Sequence, residues 1–455
     1  MAAFSKETYV NRREVLKKNI NSGILLLMGN NESSMNFKDN WYPFRQDSTF
    51  LYYIGVDLPE LMVMIDLDSG EEVLFGDDLS IDHIVWTGPQ PTISELASGV
   101  GISKSSPLNK VSEFLAQAKG RQIHILPPYR PENKSKLVEL LGKVEPSVEF
   151  IKAVVKQRSI KTAEEVAEID KAVSLSAKMH LEIIKNARPG MKEHDLVGMI
   201  QGIAVGDGGN LSYPAILTIN GQILHNHYYG NTIKEGDMVL CDAGAEVSSH
   251  YAGDLTRTFP VGKSFSPLQK DMYQIVLDAQ YAAIEMLKAG VKFKDVHLRA
   301  CKILSQGLKD MGLMKGDLDG AIEQGAHAMF FQCGLGHMMG LDVHDMEDLG
   351  EQYVGYDEPK STQFGLKSLR LGKELEAGFI VTIEPGVYII PELIDLWGKD
   401  NKYAEFLDYD KLNEYRDFGG IRIEDNFLIT QDGSQLLGDP LVKEISEIEA
   451  IRSSN

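Results

Sequence analysis

The sequence predicts two domains, an α/β domain over residues 1–155 and a second domain of helices and alternating strands over residues 156–455. Three observations carry this. The first 150 residues alternate short apolar runs with polar turns, a helix-capping signature opens near residue 161, and four later segments alternate apolar and polar residues at the period of a strand. The chain length of 455 residues also exceeds one ordinary hydrophobic core.

In the first domain, the apolar runs Ile24 to Met28 and Leu61 to Ile65 read as strands and Lys136 to Leu141 as part of a helix. The second domain opens at Lys161-Thr162-Ala163-Glu164-Glu165, where Thr162 caps a helix and Glu165 completes a capping box. Val166, Ile169, Val173, Ala177, Leu181 and Ile184 follow at helical spacing, and Arg188-Pro189-Gly190 stops the helix. A later helix takes Ser266 as cap, Pro267 at its first position and Gln269 as the reciprocal acceptor, and is expected to run to Gly290. The strand patterns are Met238 to Val247, Thr256 to Val261, Phe379 to Ile390 and Ile421 to Thr430. The polar, poorly patterned segments Glu347 to Gly372 and Glu392 to Asp417 read as surface excursions able to border a pocket.

Composition narrows the function classes. Hydrophobic content of 43% and charged content of 25% belong to a globular protein. The aliphatic run Ile24 to Met28 is far shorter than the ~20 residues of a membrane span, and too short for a signal-peptide core, so a cytoplasmic location is expected. Three cysteines, Cys241, Cys301 and Cys333, make no disulfide framework and read as buried thiols. A net charge of -20 repels phosphates, which argues against nucleic acid and anionic membrane as partners.

Chemistry concentrates in five side chains, Asp242, Asp254, His337, Glu384 and Glu424, each in a strand or glycine-rich turn among apolar residues. Burying a carboxylate without a counter-charge costs several kcal/mol. The obvious basic neighbour in these strands is Arg422, so divalent metal ions are the natural counter-charge, and four carboxylates with one imidazole are hard ligands suited to hydrolysis. Strand alternation puts Asp242 opposite Val239 and Cys241, and puts Arg422 on the face of Glu424. Any one of these carboxylates alone would read as solvent-facing; four together do not. Gly334-Leu335-Gly336-His337-Met338-Met339-Gly340 implies close backbone approach rather than a dinucleotide fingerprint, which needs a different spacing and context. His225 and His227 read either as a two-histidine metal clip or as one substrate contact, the second being preferred. His83, His124, His180, His194, His250, His297 and His327 show no partner pattern and read as structural or surface.

The five residues in their local contexts resemble the dinuclear metallopeptidases of the pita-bread fold, which include methionine aminopeptidase, prolidase and aminopeptidase P. The resemblance to aminopeptidase P covers nearly the whole chain: Tyr42 to Phe50 with Tyr53, Gly55, Pro59 and Glu60 is similar to that family's N-terminal domain, and Gly253 to Pro260, Gly340 to Asp345, Glu384 to Ile389 and Gly420 to Asp425 match its catalytic motifs. The resemblance implies a creatinase/prolidase-like α/β N-terminal domain and an α+β pita-bread catalytic domain. It implies that Asp242, Asp254, His337, Glu384 and Glu424 hold two divalent ions, manganese first and cobalt, zinc or iron(II) as alternatives. It further implies that His225 and His344 hold the scissile carbonyl, that Arg422 braces the ligands, and that Glu384 moves a proton from a metal-bridging hydroxide's parent water to the leaving nitrogen. The implied activity is release of the first residue from proline-containing peptides by a homodimer or homotetramer. The alternatives are a prolidase confined to Xaa-Pro dipeptides and, in another class, a non-catalytic peptide-binding module, against which the complete ligand set argues. Cys333 stands where the family usually has a histidine.

Overall fold

The computed structural model describes residues 3–454. The chain forms two compact units, one comprising the residues up to Arg158 together with Met346–Val354, the other Ser159–Asp345 with the residues from Gly355 onward.

In the first unit the apolar runs fold into a five-stranded sheet of order Lys104–Ser106, Glu72–Phe75, Met62–Asp66, Ile24–Met28, Ile123–His124. The three central strands are antiparallel and the two edge strands run parallel to their neighbours, the mixed pattern of an α/β layer. Alternate residues Ile24, Leu26, Met62, Met64, Val73 and Phe75 face one way and are covered by Val111, Leu115 and Leu137 from two helices. Arg13 is buried on this unit's helical side, where its guanidinium reaches Glu72 at 2.8 Å and the carbonyls of Tyr53 and Val100 at 3.0 and 2.8 Å. Such full pairing is what lets a charge sit in an interior.

The second unit opens with the helix Ala163–Asn186, whose Thr162–Glu165 capping box forms as the sequence predicts. Ile169, Val173, Ala177 and Ile184 are buried, while Val166 and Leu181 lie at the edge of the stripe. Ser266 likewise caps Pro267–Ile284 in a capping box, but this helix stops at Ile284 rather than at Gly290. Residues 285–287 tighten into turns with i+3 hydrogen bonds, and Gly290 takes its positive φ only after them.

Among the described residues four short sheets fill the unit. The first has the order Thr256–Pro260, Met238–Asp242, Ile216–Thr218, and the second Ile380–Ile383, Asp425–Ile429, Ser434–Leu436. Gly386–Tyr388 pairs with Gly420–Arg422, and Asn210–Leu211 with Ala245–Glu246. Two single bridges, Thr256 with Glu424 and Met338 with Val381, stitch these pieces together. The segments expected as excursions carry short helices, among them Pro391–Gly398 and Tyr409–Glu414, and bury Tyr356, Leu369, Leu371, Ile394, Trp397 and Leu412. They are pinned by apolar anchors that their polar average conceals. Among the described residues no helix is long and apolar enough to cross a membrane.

Candidate active site

The inner strands deliver the acidic residues to one place. Asp242 ends its strand directly opposite Thr256, and Asp254 lies two residues ahead of the start of the partner strand at Thr256, so the antiparallel register brings both carboxylates to the same sheet end. Glu424 joins them through its backbone bridge to Thr256, whose hydroxyl donates to Glu424 Oε2 at 2.7 Å. Close packing permits this. An added Cβ on Gly244 would come within 1.7 Å of the Gly253 carbonyl oxygen, and one on Gly336 within 2.1 Å of that of Thr382.

His337 enters from the glycine-rich turn. Its Nδ1 donates to the carbonyl of Met338 at 3.1 Å, which turns Nε2 toward the carboxylates. That atom lies 3.4 Å from Asp254 and 3.6 Å from Glu384. Glu384 follows the strand Ile380–Ile383 and is fixed by its backbone N–H to the carbonyl of Leu335 at 2.8 Å. Asp242, Asp254, His337, Glu384 and Glu424, together with His225, His344, Arg422 and Cys333, line one cavity of about 270 Å³. The sequence-predicted residues therefore converge. His227 lines the same cavity, whereas Cys241 is buried on the opposite strand face, as alternation requires. Cys333 is half-buried rather than buried, its thiol 3.9 Å from the Tyr388 hydroxyl.

Arg422 is buried at 3% exposure and donates to Asp242 at 2.5 Å, to the Tyr388 hydroxyl at 2.7 Å and to Thr256 at 3.2 Å. It braces Asp242 directly and Glu424 through Thr256. A second strand-borne cation, Arg257, points to the other face, where it pairs with Asp425 at 2.6 Å, and does not compete for the cluster. From the first of the two excursions, Arg370 adds a positive field at Glu384 and His225.

One guanidinium does not balance four carboxylates. Burial raises the carboxyl pKa of Asp254 well above normal and Asp242 adds to the effect; burial and Glu424 do the same to Glu384, and burial and Asp254 to Glu424. Oε1 of Glu424 is buried without a hydrogen-bond partner among the described residues. The donor atoms of Asp254, His337 and Glu424 all lie within 4.8 Å of one another. A hard, oxygen-rich donor set with an unsatisfied buried carboxylate oxygen fits divalent cations, which would relieve both the repulsion and the orphan.

Sequence reasoning missed Tyr213. Its hydroxyl lies 2.5 Å from Asp242 Oδ1 and also hydrogen-bonds Asp254, holding the two carboxylates at a fixed separation. The only signal was its place before Pro214, ahead of the strand Ile216–Thr218. Tyr213→Phe is expected to leave the fold intact and to weaken divalent-ion binding about tenfold to a hundredfold. An unchanged affinity in a metal titration would refute this orienting role.

Comparison with known proteins gives the same family along the whole length. The description "Metallopeptidase family M24" is matched by residues 167–431 and "Aminopeptidase P, N-terminal domain" by residues 9–126. An Xaa-Pro dipeptidase of Homo sapiens is 31% identical over 453 residues, covering 96% of this chain and 90% of its own. A probable Xaa-Pro aminopeptidase of Verticillium alfalfae is 32% identical over 438 residues, covering 95% and 93%. Among solved structures, aminopeptidase P from E. coli with the inhibitor Pro-Leu matches with a TM-score of 0.81 at 29% identity over 99% of both chains. Proline aminopeptidase P II from Yersinia pestis matches with a TM-score of 0.84 at 29% identity, over 99% of this chain and 100% of that one. With an aminopeptidase P N-terminal domain ahead of a pita-bread catalytic domain, the chain belongs to metallopeptidase family M24.

Proposed function

We propose that this protein is a metal-dependent aminopeptidase that hydrolyses the first peptide bond of chains with proline in the second position. The observation that carries this is the convergence of four carboxylates and His337 on a cavity whose walls hold His225 and His344. Asp242, Asp254, His337, Glu384 and Glu424 would hold two divalent ions, manganese in our assignment, which when bound supply an acidified water and Lewis-acid polarisation of the scissile carbonyl.

The chain's own groups do the rest. Glu384, with 18% of its side chain exposed against 7% for Asp254 and 12% for Asp242, is the carboxylate best placed to take a proton from the attacking water and return it to the leaving nitrogen. Partial burial and the Arg422 guanidinium lower the pKa of His225, so its imidazole is neutral near pH 7 and donates a hydrogen bond as charge develops on the carbonyl oxygen. His344, which packs edge-on against His337 at 4.4 Å between ring centroids, is assigned a hold on the same carbonyl. Proline lacks a backbone N–H and fixes φ, so a dedicated pocket serves it better than extended-strand pairing. A cytoplasmic homodimer or homotetramer is the assembly we assign.

The second reading is a dipeptidase, favoured by the likeness to the human Xaa-Pro dipeptidase. Rates on Xaa-Pro and Xaa-Pro-Xaa peptides separate the two. The aminopeptidase assignment expects cleavage of the longer peptides, and hydrolysis of the dipeptide alone would overturn it; metal content of the purified protein checks manganese.

A further inference from the structure

Three metal-ligating side chains meet in the interior of the catalytic unit, apart from the cavity described above. His297 and Cys301 stand one turn apart on the helix Phe293–Asp310, and His327 comes from the 3₁₀ turn Ala326–Met329. The spacing of four residues puts the first two on one helix face. His297 Nε2 lies 3.4 Å from Cys301 Sγ, and one donor atom from each of the three residues lies within 4.8 Å of the others. Their exposures are 0%, 0% and 2%. None of them lines the catalytic cavity.

The hydrogen bonding here is incomplete. Nδ1 of His297 and both ring nitrogens of His327 are buried with no hydrogen-bond partner among the described residues. A neutral imidazole carries one N–H and one lone pair, and each such group left unsatisfied in an interior costs about 1–3 kcal/mol. A thiol donating to His297 Nε2 accounts for one of the four ring nitrogens and leaves three unexplained. Leucine or phenylalanine would fill the same space at no such penalty, as Phe331 does where its ring stacks on His297 at 5.5 Å. Two imidazoles and a thiol make sense together as ligands.

Charge selects the class of ion. Among the described residues no carboxylate hydrogen-bonds or ion-pairs with any of the three side chains; their one side-chain hydrogen bond is the one between Cys301 and His297. Binding converts Cys–SH and M⁺ into Cys–S–M and a released proton, so a monovalent ion leaves the cluster neutral. A divalent ion would leave a net positive charge in an apolar interior, at several kcal/mol. Thiolate is a soft donor, and imidazole is a borderline one that suits copper. We propose that His297, Cys301 and His327 form a second, buried metal site that takes a soft monovalent d¹⁰ cation, copper(I). It does not depend on the peptidase assignment.

The test is an anaerobic competition titration of the full-length protein with copper(I) delivered from a colorimetric chelator. The expected result is one equivalent of copper(I) withdrawn from the chelator per chain, lost in Cys301→Ser and in His327→Leu and retained in Cys333→Ser. Peptide hydrolysis by the first two variants, supplied with divalent metal, is expected at the unsubstituted rate, which also reports that they fold. X-ray absorption at the copper edge of the unsubstituted protein is expected to show one sulfur and two nitrogen neighbours, and needs no variant. Failure to withdraw copper, retention of binding in both ligand variants, or a copper shell without sulfur would each overturn the site. Preferential uptake of zinc over copper(I) at these residues would overturn the monovalent assignment.

Discussion

Asp254→Asn is expected to lower kcat/KM for an Xaa-Pro-Xaa peptide by about 10³ or more and to reduce bound divalent metal below that of the unsubstituted protein. Asparagine keeps the shape but removes one negative charge and one anionic donor from the point where Asp242, His337, Glu384 and Glu424 converge. A bound metal contributes several kcal/mol to the transition state, and ~4 kcal/mol corresponds to about 10³ in rate. The same substitution removes a buried carboxyl group whose ionised form burial, Asp242 and Glu384 all disfavour. Stability therefore moves the opposite way from activity: the metal-free variant is expected to melt above the metal-free parent. Unchanged metal content with unchanged hydrolysis would sink the metallopeptidase mechanism, and a lower melting temperature without metal would sink the repulsion account.

The second large effect is on the fold. Asp425 is buried between Arg257 at 2.6 Å and Lys443 at 2.8 Å and also accepts from Gln280 at 3.1 Å. Burial pushes its carboxyl pKa up, but Arg257 and Lys443 outweigh burial and hold it at about 2. Asp425→Ala strands Arg257, which is fully buried, and is expected to destabilise the catalytic unit by about 3–5 kcal/mol in denaturant unfolding. A loss below about 1 kcal/mol would show that the carbonyls of Glu424, Leu441 and Val442, which Arg257 also reaches, suffice to hold it. Because the folded pKa lies below the ordinary 3.8, this stabilisation is full above that value and is lost as pH falls toward about 2.

The parts of the site that rest on periodicity were legible in the sequence. Period-two alternation separates Asp242 from Cys241, and the two capping boxes at Thr162 and Ser266 fix where helices start. What was not legible depends on tertiary approach. Tyr213 and Thr256 reach the cluster through a turn and a bridge that leave no periodic trace. Alternation puts Arg422 on the face of Glu424, whereas the pairing of Arg257 with Asp425 arises only from the approach of separate strands. The end of the helix at Ile284 comes from tight turns rather than from a helix-breaking residue. His297 and Cys301 carried a readable signal, their four-residue spacing on an amphipathic helix, but their third member lies 26 residues beyond Cys301, on a separate turn.

The bridge between Thr256 and Glu424 spans 168 residues, and the bond from Arg422 to Asp242 spans 180. Contacts of such separation close late, because the entropy of forming large loops must be offset by structure already in place. The acidic cluster thus comes into being only as the catalytic unit completes its fold. Partly folded chains would carry the carboxylates scattered and hydrated, with little avidity for cations, so metal loading is expected to follow folding rather than guide it.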